Sequence, residues 1–88
     1  MSKPGDRVGA FQKADTETVY FYGYGVYDGD FPYAIFGDDF KVDNPRITLD
    51  RGGIVWGAQC WWGPEEQVKK RIGERKIVLV DPPHEGTP

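Results

Sequence analysis

Cys60 is the one thiol and His84 the one imidazole of the chain. Nucleophilic catalysis needs such a pair within hydrogen-bond reach. Strand alternation sets Cys60 on one face with Ile54, Trp56, Ala58 and Trp62, the expected core face, and His84 falls in a Pro/Gly tail. A buried, inert thiol is therefore expected. Ser2 is the only serine, so no Ser-His set can form either. Asp28, Asp30, Asp38 and Asp39 offer oxygen ligands, but without the regular spacing and closing glutamate of a calcium loop. Gly23-Tyr24-Gly25 lies inside a strand-forming run, whereas a phosphate-cradling glycine loop must open a helix. These residues predict a protein with no catalytic set, no metal and no cofactor.

The aromatic residues are better placed to act. Thirteen of 88 residues are Phe, Tyr or Trp, and Trp56, Trp61 and Trp62 fall within seven positions of one another. Adjacent Trp61 and Trp62 point to opposite faces of a strand, so at least one of them leaves the core; alternation puts Trp61 outside, and a one-residue change of register would put Trp62 there instead. Tyr20, Tyr22 and Tyr24 form a second stripe on one strand face. Rings beside Arg46 and Arg51 suit the stacking of a base with pairing of its phosphate, and equally the anchoring of a protein contact. The expected ligand-binding set is Tyr22, Tyr24, Arg46, Arg51 and Trp61.

Those side chains need a β framework to hold them. Twelve glycines and seven prolines favour short strands and tight turns. Pro4-Gly5-Asp6 launches a strand over 7–11, and 12–17 reads as a loop. Residues 18–27, TVYFYGYGVY, form a second strand bent at Gly23 and Gly25. Asp28-Gly29-Asp30 reads as a turn, and 31–44 as a mixed segment with a short strand over 33–36. Its Phe31, Tyr33, Phe36 and Phe40 need cover, from the barrel or from a second copy. Residues 46–50 alternate as a strand, Asp50-Arg51-Gly52-Gly53 closes a hairpin, and 54–62 returns as one Trp-bearing strand. Pro64 opens a helix to Ile72, docked by Val68 and Ile72, with Glu65–Lys69 and Glu66–Lys70 pairs and a Gly73 cap. Residues 76–81 form a last strand.

The fold class is thus mainly β: a small SH3-like barrel, or a twisted antiparallel sheet with one short C-terminal helix. Residues 1–81 make one domain and 82–88 a flexible tail. The "PGDRV" opening, the glycine-bearing second strand and the hairpin from the third strand to the fourth resemble SH3-like barrels.

The net charge of −3 gives no general attraction for duplex nucleic acid or an anionic membrane. Acids gather over 28–50, while Lys69, Lys70, Arg71, Arg75 and Lys76 crowd the C-terminal third. No leader pattern or membrane-length apolar run is visible, so a cytoplasmic setting is expected. A chain this small with this many rings also suits a homo-oligomer.

The runs GYGVYDGD, PRITLD and CWWGPEE resemble blocks of short uncharacterised proteins of tailed phages. That resemblance implies a setting rather than a site. Phage accessory proteins commonly act by stoichiometric binding, blocking a host enzyme or sequestering a host-defence signal. The expected function is non-enzymatic: an inhibitor that captures a host protein or a small nucleotide through an aromatic/Arg surface. The alternative is an SH3-like peptide- or protein-interaction module of ordinary cellular function.

Overall fold

The computed structural model describes residues 2–34 and 41–82. It is mainly β: β1 (Arg7–Ala14), β2 (Thr18–Ala34), β3 (Lys41–Leu49), β4 (Ile54–Trp56), β5 (Trp61–Pro64) and β6 (Lys76–Leu79), with one α-helix, α1 (Glu65–Ile72), between β5 and β6. The strands form one twisted, barrel-like open sheet in the order β4-β3-β2-β1-β5, with β6 paired to β2. A single turn of 3-10 helix, Gly57–Gln59, carries the chain from β4 to β5.

The backbone of the design is β2. Its 17 residues are long enough to take three neighbours. β1 covers one edge, from Val19 to Val26. The other edge is shared, with β3 antiparallel along Gly25–Ala34 and β6 parallel along Thr18–Phe21. Between those two partners the Tyr22 carbonyl would lack a ladder neighbour. Arg51, from the β3–β4 turn, fills the gap: its Nε donates to the Tyr22 carbonyl at 2.8 Å and its Nη2 donates to the Val80 carbonyl.

Two packed layers result, one on each face of the sheet. Inside the curl lie Val8, Ala10, Tyr22, Tyr27, Ile47, Leu49 and Val55, with the Trp62 ring stacked on Tyr27 at 5.1 Å. On the outer face Val19 and Phe21 pack against Val68 and Ile72 of α1. Gly9 is what lets the helix settle there, since a Cβ on it would stand 2.9 Å from Val68 Cγ1.

Several expected boundaries move, each for a local reason. Residues 12–14 continue β1, because the strand absorbs a bulge and keeps pairing with β2 as far as Ala14. Asp28-Gly29-Asp30 is not a turn but lies within β2, where a register shift at Gly29 takes up the extra residue. Residues 35–40, with Phe36 and Phe40, lie outside the described residues, as do those beyond Pro82. The expected single strand over 54–62 is broken by the 3-10 turn, so alternation does not carry across it: Val55 and Trp56 are both buried and Ala58 is exposed. Pro64 ends β5 and caps α1 from outside rather than opening it. The Asp50–Gly53 hairpin stands as expected, with Gly52 and Gly53 at φ 102° and 92°.

Arg7 ties this frame together at its exposed end. It donates through Nη1 to Asp50 Oδ1 at 2.8 Å and through Nε to Glu65 Oε1 at 3.0 Å, linking β1 to the hairpin and to the first turn of α1. Both carboxyls are held below their ordinary range, chiefly by these hydrogen bonds from Arg7. A carboxylate depressed in the folded state contributes stability above its unfolded pKa and loses that contribution as pH falls through the folded value. The thermal midpoint should therefore fall between pH 5 and pH 3, and fall less steeply in Arg7→Met. Equal pH slopes for the two proteins would show that the link contributes nothing.

Candidate functional site: a basic groove beside Trp61

Phe11 and Trp61 face each other across the β1–β5 ladder, on the outer side of the sheet that also carries α1. Trp61 is 68% exposed, against 7% for Trp56. Beside it runs a groove of about 640 Å³. The half-buried Phe11 and the buried Val19 and Ile72 form its apolar floor, with Ala14 alongside. Lys13, Lys70, Arg71 and Arg75, all exposed, supply its rim.

The helix explains the cations. Basic residues in the last turn of a helix complement its dipole, and Lys69, Lys70 and Arg71 occupy that turn. The expected Glu66–Lys70 pair does not form. Lys69 takes both acids instead, at 3.3 Å from Glu65 and 3.9 Å from Glu66. Lys70 and Arg71 are left without an ion pair among the described residues, as are Lys13 and Arg75. Lys13 lies over the Tyr20 ring, 4.9 Å from its centre. The acid that feels these charges is Asp15, held low first by the Glu17 and Thr18 amides and then by Lys13 and Arg75. A protein of net charge −3 thus carries four clustered cations next to one bare indole.

Of the five residues expected to bind ligand, only Trp61 borders this groove. Tyr22 is 1% exposed and part of the inner core. The reason is the bulge at Tyr22–Gly23. Ala10 pairs with Gly23 but Phe11 with Phe21, so the alternation of β2 changes phase and the even-numbered tyrosine stripe divides. Tyr24 falls on the helix side, its ring edge-on to Phe21 at 4.8 Å. Arg46 stacks over Phe31 at 4.0 Å and pairs with Asp28 at 3.1 Å, on a strand separated from β5 by β2 and β1. Arg51 is the bracket between β2 and the chain after β6 described above. The five are not brought together.

The residues that sequence reasoning passed over are Phe11, Lys13, Lys70, Arg71 and Arg75. The crowding of cations in the C-terminal third was the usable signal. The missing step was the extension of β1 to Lys13, which brings that lysine to the groove.

Cys60 is half-buried, and burial pushes its thiol up to about 12, which leaves no thiolate at neutral pH. Its Sγ donates to the Trp56 carbonyl at 3.4 Å. Among the described residues no group of three or more His, Cys, Asp or Glu side chains could hold a metal ion. Among the described residues no helix is long and apolar enough to cross a membrane.

Fold and groove together define a small mainly-β domain with a cationic, tryptophan-bearing surface site. Comparison with known proteins finds no matching family model, no matching curated protein and no matching solved structure.

Proposed function

We propose that the protein works by stoichiometric capture of a small phosphorylated ring compound, a nucleotide signal, which it withholds without converting it. The observation that carries this reading is the pairing of exposed Trp61 with four cations that have no ion pair among the described residues, around one groove. An indole face accepts any flat base, and stacking of this kind contributes about 1–3 kcal/mol per base. Lysine and arginine bind phosphate oxygens through charge-assisted hydrogen bonds. A neighbouring groove of about 620 Å³ is mixed in charge, bordered by Arg71, Arg75 and Lys76 and by Glu17 and Glu74.

The setting is the one that the phage resemblance implies: an inhibitor acting on a host-defence signal, with no turnover. The groove lies within one chain, so capture needs no second copy. Self-association is part of the proposal through β6, whose Ile77 and Leu79 are 46% and 60% exposed. A monomeric mass in solution would remove that part.

The test is ligand stabilisation followed by recovery. With ATP or GTP at 100–1,000 times its Kd, the folded state should gain about 3–4 kcal/mol. The nucleotide should be recovered unaltered after denaturation. A cleaved product would establish turnover. A host protein co-purifying, with no nucleotide effect, would transfer the reading to a protein target.

A further inference from the structure

Trp61 borders three concave spaces; two of them also share Phe11 and Arg71, and those two differ in chemistry. The larger is the groove of about 640 Å³ with Lys13, Lys70 and Arg75. The smaller, about 210 Å³, is bordered by Phe11, Trp61, Trp62, Gly63, Gln67 and Val68. Phe11, Trp61 and Arg71 belong to both. The smaller space falls below the roughly 300–1,000 Å³ of a pocket for a whole drug-sized ligand, but suits a single ring system. Apart from the shared Arg71 it holds no cation. Beside the indoles, which can only donate, its neutral polar side chain is the Gln67 carboxamide, which can donate and accept at once, as the edge of a nucleobase requires.

Gly63 adds an independent sign. Nothing in the fold demands glycine there: its φ is not positive, and a Cβ would meet only Val68 Cγ2, at an ordinary 4.0 Å. Its ladder partner Gly9 is the opposite case, held to glycine by Val68 at 2.9 Å. What the bare backbone at 63 does is keep the floor of the smaller space open.

Resting on the capture reading above, we infer that the two spaces divide one nucleotide between them. The base enters the smaller space, stacked on Trp61 with Gln67 reading its edge. The phosphates lie in the larger one on Lys13, Lys70 and Arg75. Arg71 stands at the joint, beside the sugar-linked phosphate. Gln67 is accordingly the residue that sets base preference, and Gly63 the one that admits a base at all.

The probes are ATP, GTP, CTP, UTP and inorganic triphosphate, titrated calorimetrically into the full chain. Wild type should bind at least one nucleotide tenfold more tightly than triphosphate and discriminate among the bases. Gly63→Val should keep the thermal midpoint, lose at least tenfold in nucleotide affinity and bind triphosphate as before. Gln67→Leu, an exposed helix position that leaves the core untouched, should collapse the discrimination while triphosphate binding holds. Unchanged nucleotide affinity in a folded Gly63→Val protein would overturn the division. So would base discrimination retained by Gln67→Leu, which decides the matter alone if Gly63→Val does not fold. Wild type binding triphosphate as tightly as every nucleotide would also overturn it, while sparing the capture of phosphates. Failure of all five probes to bind wild type would overturn the capture reading itself.

Discussion

Val68→Asp should leave the domain unfolded at room temperature. Val68 is 3% exposed and joins Val19, Phe21 and Ile72 in the layer between α1 and the sheet. Its Cγ1 also stands over Gly9. An eight-residue helix has no stability of its own, so docking through Val68 and Ile72 is what keeps it folded. The substitution removes that contact and buries a carboxylate with no cation against it, at a cost of several kcal/mol. That is a large part of the roughly 5–15 kcal/mol that hold a domain together. Circular dichroism melting is the measurement. A cooperative transition at the wild-type midpoint would mean that α1 is not docked through this residue.

Trp61→Ala should have the opposite profile, with the fold intact and binding lost. Most of the ring is in solvent, so truncation leaves the inner core unchanged. The stacking term of about 1–3 kcal/mol per base should disappear, a loss of roughly 5- to 150-fold in nucleotide affinity. Inorganic triphosphate, which has no ring to stack, should bind Trp61→Ala and wild type alike. Calorimetric titration of both ligands into both proteins separates stacking from charge. Undiminished ATP and GTP affinity in the folded variant would place the site elsewhere.

How far the sequence carries this picture depends on the residue. The helix docked by Val68 and Ile72, the Gly52-Gly53 hairpin and an outward indole in the Trp61-Trp62 pair were all legible, because each rests on a local pattern: capping charges, positive-φ glycines, side-by-side indoles. The tyrosine stripe misled because period-two reading assumes an unbroken ladder, and the bulge at Tyr22–Gly23 shifts its phase. Arg51 looked like a free cation for a similar reason. Besides Asp81 at 3.7 Å, its partners are two main-chain carbonyls, Tyr22 and Val80, which become neighbours only when β6 pairs in parallel with β2. The groove itself was hidden by sequence distance: Lys13 and Arg75 are 62 positions apart and meet only when α1 lies across the outer face.

The central claim is that the exposed indole, and not the other two, receives the ligand. The chain has three tryptophans, and each gives its own indole N–H signal in a ¹H–¹⁵N spectrum. Trp56 is buried and stacked on Tyr33, Trp62 is stacked on Tyr27, and Trp61 alone is largely in solvent. Titration with ATP or GTP should move the Trp61 signal furthest, together with the backbone amides of Lys13, Lys70, Arg71 and Arg75, and leave Trp56 in place. A Trp61 signal unmoved at saturating nucleotide, or shifts centred on Arg46 and Phe31 instead, would contradict the account.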